Sequence, residues 1–271
     1  MKKALIYLLY FILLQLIGGG IVSLLWSAFG GGTEQSAMEL IVTTAVTDVI
    51  VIAVFLAIRA AEVSPQWLRT RPWATLFWSC IAALGAIIPS AWLQEQMPEL
   101  PNIVEQEFDM ILRNRWGYVS IGLLAPLAEE LVLRGAILRS LLRWTGSQPF
   151  AGDGETYGYG TPRYGGHWTA IAISALFFAL IHMNPAQMPH AFLIGLLLGW
   201  MYYRTGSILP GVAYHWVNNS VAYALYNLYP DPEMELIDLF GSQRSVIAAL
   251  IFSLFILLPA IYQLNQRLKR A

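Results

Sequence analysis

The chain has 271 residues, 57% hydrophobic and 12% charged, with a net charge of −1 and a mean hydropathy of +0.55. A soluble domain carries about 25% charged residues, so half that proportion with long apolar runs predicts a polytopic helical membrane protein. The charge balance gives no basis for nucleic-acid binding. The single cysteine, Cys80, rules out an internal disulfide framework and a thiolate zinc cluster.

Apolar runs measured against the roughly 20 residues that cross a bilayer predict eight spans, near 4–28, 38–58, 74–97, 117–143, 168–183, 189–204, 207–226 and 246–264. The fold class expected is therefore all-α, a single membrane domain over 1–271 built as a polytopic helical bundle. The first run begins MKKALIYLL like a signal peptide. It exceeds the roughly 7–15 residues of a signal core and has no convincing small-x-small cleavage site, so it reads as a retained span. Asp48 falls midway along the second span, where Thr44 or Thr47 is its expected local partner and Arg134 a more distant one. Cys80 in the third span reads as packing.

Between the third and fourth spans, residues 102–115 read as a short amphipathic stretch at the interface, with Ile103, Phe108, Ile111 and Leu112 on its apolar face. The fourth span carries Glu129, Glu130 and Arg134. It is followed by residues 144–167, which hold seven glycines and three tyrosines. A flexible linker is the simpler reading of that loop, and a lid over a site is the sharper one. The fifth and sixth spans are short and joined by MNPAQ, so their turn is expected below the membrane surface, packed by protein. Gly195 and Gly199 of GLLLG allow the sixth span to pack closely on a neighbour. No internal sequence repeat is visible.

Charges between the spans set an orientation. Lys2 and Lys3, then Arg59, Arg69 and Arg71, then Arg139, Arg143 and Arg163, then Arg204, and finally Arg267, Lys269 and Arg270 share one side if the chain crosses eight times. The opposite loops hold Glu34, then Glu95, Glu99, Glu105, Glu107 and Asp109, then Asp231, Glu233, Glu235 and Asp238. Arg113, Arg115 and Arg244 are the exceptions. The positive-inside rule then puts both termini in the cytoplasm, and the basic tail and compact length suit a bacterial plasma membrane.

Ionisable groups at membrane depth cost roughly 2.5–3.5 kcal/mol each on insertion scales and mark function by default. Besides Asp48 they are Glu129, Glu130 and Arg134 in span four, His182 ending span five, His190 opening span six, and His215 with Asn219 in span seven; His167 closes the glycine-rich loop. At roughly 100° per residue, Glu130 and Arg134 share a face as an i,i+4 pair, whereas Glu129 points about a quarter-turn away. His215 and Asn219 share a face, as do Phe178 and His182. Any one of these groups alone reads as a packing salt bridge or a hydrogen-bonded core histidine. Together they leave one carboxylate without a partner in its own helix and two imidazoles nearby to meet it.

Such a set supports hydrolysis without a side-chain nucleophile. A carboxylate beside an imidazole deprotonates water, and a second imidazole with an amide stabilises the oxyanion. There is no HExxH, no GxS ahead of a histidine-bearing span and no GxGD at Asp48. The rival is a non-proteolytic membrane protein, either a proton-coupled transporter relaying protons through Glu and His or a regulatory scaffold. The lack of inverted half-repeats disfavours the usual transporter plan.

EELVLR fits EExxxR, FALIH fits FxxxH, and HWVNN fits HxxxN, in order and each within an apolar span. In this the chain resembles the CAAX prenyl endopeptidase and bacteriocin-processing (CPBP, or Abi) intramembrane proteases, over roughly residues 75–226. The resemblance implies a helical membrane fold with the site in a cavity inside the bilayer, open toward the cytoplasm. It implies Glu129 and His182 as activators of the attacking water, Glu130 and Arg134 as orienting groups, and His215 with Asn219 at the oxyanion. A zinc ion, if the reaction uses one, would fall to Glu129, His182 and His215; a metal-independent reaction is the other expectation. The implied partner is a membrane-associated peptide or protein within the lipid bilayer. One tension remains, since His182 lies toward the outer end of its span and His215 nearer the cytoplasmic half of its own.

Overall fold

The computed structural model describes residues 1–31, 35–61, 71–147, 164–229 and 234–268. Several expectations fall outside these residues: the charges Glu34, Arg69, Arg163, Asp231, Glu233, Lys269 and Arg270, and residues 148–163 of the glycine- and tyrosine-rich loop.

Among the described residues the fold is all-helical. Helix α1 (Lys2–Trp26) runs to a bend at Gly30, whose φ of 94° suits a residue without Cβ. Helix α2 (Ala37–Ala57) starts at Ser36, whose hydroxyl accepts the Glu39 amide at 3.1 Å as an N-cap. Helix α3 (Trp73–Glu95) is followed by the short α4 (Glu105–Leu112). A continuous helix over 118–144, α5, alternates π-turns at Tyr118–Leu124 and Leu131–Leu138 with α-turns at Ala125–Glu130 and Arg139–Trp144. Then come α6 (His167–Ile181), α7 (Met188–Thr205), α8 (Leu209–Leu228), α9 (Leu236–Phe240) and α10 (Gln243–Arg267).

All eight expected segments are helical. Four helices, Lys2–Gly30, Ala37–Ala57, Trp73–Glu95 and Gln243–Arg267, are long and apolar enough to cross a membrane. They leave large apolar side chains exposed, such as Leu24, Phe252 and Phe255, as a lipid-facing surface requires. The other four fall short for separate reasons. Helix α6 has only 15 residues, about 22 Å of rise against roughly 30 Å of hydrocarbon. Helices α7 and α8 carry histidines, an arginine and asparagines. Helix α5 carries five ionisable groups, and every residue of Leu131–Leu138 is buried. A helix buried on all sides draws its solvation from protein, so its composition escapes the hydropathy that lipid would impose.

Small residues set the helix spacings. A Cβ on Gly85 of α3 would lie 2.6 Å from the Leu257 nitrogen and 2.8 Å from its Cα, so α3 and α10 meet backbone to backbone. Gly195 and Gly199 bring α7 onto α6 as expected: a Cβ would lie 2.9 Å from the Ala175 Cα at the first and 2.9 Å from Ile171 at the second. Gly85→Leu is expected to force α3 from α10 and lower the melting temperature of the detergent-solubilised chain by several degrees, corresponding to about 1–3 kcal/mol of overpacking. An unchanged melting curve would show that this contact is not a close one.

The amphipathic stretch forms α4, which turns Ile111 inward and leaves Phe108 and Leu112 half-buried; Ile103 precedes the helix and is 63% exposed. The expected partners of Asp48 are corrected. Thr44 donates to the Leu40 carbonyl and Thr47 to those of Thr43 and Thr44, the usual back-bonding of helical threonine. The partner of Asp48 is Gln15 of α1, whose amide donates to Oδ1 at 3.2 Å. Cys80 is a half-buried free cysteine on α3.

Candidate active site

The site gathers around α5. Glu130 is fully buried and Arg134 is 1% exposed, and Arg134 Nη1 donates to Glu130 Oε1 at 2.7 Å, one turn along the helix. Two further contacts hold the guanidinium. Nη2 donates to the Gly195 carbonyl of α7 at 3.4 Å, and the guanidinium carbon stands 4.4 Å from the Phe178 ring centre of α6. The arginine thus ties three helices together while compensating one carboxylate.

Glu129, a quarter-turn away, meets His215 of α8: Nε2 lies 3.8 Å from Glu129 Oε2, and Nδ1 lies 3.4 Å from Glu130 Oε1. The imidazole therefore stands between the two glutamates. Neither contact is an aligned hydrogen bond, and Glu129 Oε2, Glu130 Oε2, Arg134 Nε and His215 Nδ1 have no protein hydrogen-bond partner. Leaving a buried polar atom unmatched costs about 1–3 kcal/mol, so these atoms form a concentrated set of unmet donors and acceptors.

Phe178 resolves the tension between the histidines. Its ring makes edge contacts with His182 at 5.0 Å and with His215 at 5.6 Å, so one aromatic residue spans both. His182 Nδ1 lies 2.7 Å from the Phe178 carbonyl. A carbonyl only accepts, so Nδ1 carries a proton, and Nε2 is the ring nitrogen left to face the site. Among the described residues no carboxylate reaches ion-pair distance of His182. His190 lies in the first turn of α7 and is half-buried. His167 stacks on Tyr203 at 4.2 Å at the opposite end of α6 from His182.

Asn219, one turn beyond His215, donates to the Ile121 carbonyl at 3.0 Å and accepts from Asn218 at 3.4 Å. One of its two amide hydrogens remains for another acceptor. The carbonyl of Ile121 lies in the π-turn that opens α5. The same turn supplies Tyr118, whose hydroxyl accepts from Trp216 Nε1 at 3.0 Å and pairs with Ser220 at 3.0 Å. Helix α8 is thereby held to α5 through the His215–Asn219 face and through the adjoining face of Trp216 and Ser220.

Several of these groups escape a reading of spacing alone. Tyr118, Trp216 and Ser220 are polar or aromatic residues of ordinary span composition. Gly211 is more telling: a Cβ there would lie 2.6 Å from Glu130 Oε2. A side chain there would displace either the Glu130 carboxylate or α8 itself, and the place of this glycine four residues before His215 is the signal that marks it. Gly211→Ala is expected to push α8 off Glu130 and reduce activity at least about tenfold with a lower melting temperature, given about 1–3 kcal/mol for overpacking. Parental activity in that variant would remove Gly211 from the site.

Glu129, His182 and His215 are donor types that zinc accepts. Among the described residues, however, no group of three His, Cys, Asp or Glu side chains is disposed to hold a metal ion.

Residues 112–221 match the family model of the Rce1-like type II CAAX prenyl endopeptidases. The chain carries an Rce1-like region. That stretch contains all three motifs and lies inside the 75–226 expected from the resemblance, and it leaves α1, α2, α3 and α10 outside. The Rce1-like match agrees with the family resemblance that EELVLR, FALIH and HWVNN carry. No curated protein and no solved structure matches the chain.

Proposed function

We propose that the chain is an intramembrane endopeptidase that cleaves a membrane-associated peptide or protein by attack of an activated water. The observation that carries this reading is Glu129 beside His215, next to a Glu130–Arg134 pair that is already charge-balanced, within an Rce1-like region. The compensated pair leaves Glu129 as the uncommitted carboxylate.

In the proposed step Glu129 Oε2 takes a proton from water, with His182 Nε2 as the second acceptor. The water oxygen bonds to the scissile carbonyl carbon, and the carbonyl electrons move onto oxygen. His215 and the remaining amide hydrogen of Asn219 supply hydrogen bonds to that oxyanion. Collapse breaks the C–N bond, and the proton held by Glu129 or His182 passes to the departing amine. Glu130 and Arg134 take no proton; they set the position of His215 and keep a second charge from competing.

Eight crossings belong to the same proposal, with α5 to α8 spanning as a protein-lined core behind the four apolar helices. The site would then open from a cavity inside the bilayer toward the cytoplasm, and both termini would be cytoplasmic. Comparison of membrane proteomes with the parental chain and with Glu129→Ala tests the activity. A precursor is expected to accumulate in the variant, and His182→Ala should accumulate the same one. Identical proteomes, or uptake of a solute that depends on Glu129 and the proton gradient, would replace the protease by the transporter. Because the three donors are not gathered at one point, cleavage is expected to persist in a zinc chelator. Loss reversed by added zinc would instead make Glu129, His182 and His215 ligands.

A further inference from the structure

A polar cavity lies well away from the Glu129 site. It measures about 500 Å³ and is formed where the start of α1, the residues just after α2 and the last turns of α5 come together. Lys2 and Lys3 line it from α1, Arg59 from the end of α2, and Arg139 and Arg143 from α5. Among the described residues that line it, none is acidic. Arg139 and Arg143 stand 9 and 13 residues beyond Glu130 on one continuous helix. At 1.5 Å per residue that is about 14–20 Å, too far for this cavity to be part of the same reacting site.

Its depth in the membrane follows from its walls. Helices α1 and α2 are successive candidate membrane spans, so the beginning of one and the end of the next lie at the same face, where lipid headgroups stand. Tyr7 and Trp144 are the aromatic members of the lining, and Trp144 stacks on Tyr164 at 4.9 Å; aromatic residues of this kind concentrate at headgroup level. Arg59 enters through a left-handed backbone, φ 53°, uncommon for a residue with a Cβ. Its backbone N–H donates a hydrogen bond to the Leu56 carbonyl at 3.0 Å, which closes the end of α2. A basic, aromatic-rimmed cavity between spans at headgroup depth suits a phosphate held by a lipid.

We propose that this cavity binds the phosphate headgroup of an anionic phospholipid from the adjoining leaflet. The site is independent of the protease reading, because binding is measured without substrate and is expected to be the same in Glu129→Gln.

The test is native mass spectrometry of the full chain, titrated with phosphatidylglycerol or with phosphatidylcholine of the same acyl chains. Phosphatidylglycerol is expected to be retained about tenfold or more over phosphatidylcholine, and Lys3→Gln/Arg59→Gln/Arg143→Gln should abolish that preference. Lys3→Arg/Arg59→Lys/Arg143→Lys, which keeps the charges, should preserve it. So should Arg71→Gln/Arg115→Gln/Arg244→Gln, which removes as many charges elsewhere. Equal retention of the two lipids by the parental chain overturns the proposal, as does equal loss in the control outside the cavity. Inorganic phosphate that displaces the lipid completely would make this a free-phosphate site and overturn the lipid assignment. Should the neutralised variant fail to fold, the parental lipid preference and the charge-preserving variant still decide.

Discussion

Glu129→Gln is expected to lower cleavage of a membrane-associated substrate by about 10²–10⁴-fold, the usual contribution of a positioned general base. The substitution keeps the shape of the side chain and removes only the ability to hold a proton. Oε2 of Glu129 has no protein hydrogen bond, and its side chain is 21% exposed. Little packing therefore depends on its charge, and the melting temperature should stay near the parental value. Activity lost together with folding would assign Glu129 a structural role, and activity retained would remove it from the reaction. Glu130→Gln distinguishes the neighbours: it weakens the bond to Arg134 and should reduce stability and activity together.

Arg134→Met is expected to destabilise the chain by about 3–5 kcal/mol, because it leaves Glu130 buried with no compensating charge. The guanidinium also contacts the Gly195 carbonyl and the Phe178 ring, so its loss loosens α6 and α7 from α5. Replacing both partners, as in Glu130→Leu/Arg134→Met, should recover most of that stability, since an apolar pair of similar volume often matches a buried ion pair. Activity should not return with it, because His215 loses the Glu130 oxygen at 3.4 Å that helps hold it in place. Thermal melting in detergent together with a cleavage assay reads both effects. A single variant as stable as the parent would show that the pair is not the structural centre of the helix packing.

Contacts along one helix are legible in the order of the residues. The spacing of Glu130 and Arg134 produces a 2.7 Å ion pair, and that of Phe178 and His182 produces the edge contact of their rings. Asp48 shows the limit of that logic. Its neighbours at i−4 and i−1 are threonines with suitable hydroxyls, yet both bond backbone carbonyls within their own helix, and the carboxylate is met by Gln15 from another. A threonine hydroxyl always has a carbonyl one turn back, so adjacency in sequence does not decide which acceptor it takes. The π-turns flanking Glu129 and Glu130 are likewise invisible to a pattern read at a uniform helical period.

The sequence by itself determined that the chain is helical and apolar enough for a membrane, which residues carry charge inside it, and which of those share a helix face. These follow from composition and from the period of the helix, both local properties. Only the tertiary structure decided that His215 stands between Glu129 and Glu130, that Phe178 links the two histidines, and that Asn219 turns toward Ile121. It also decided that Gly211 and Gly85 are sites of closest approach. A missing Cβ or an unpartnered carboxylate has no meaning along a chain. Each acquires one when another helix arrives within about 4 Å, where packing and hydrogen bonding act.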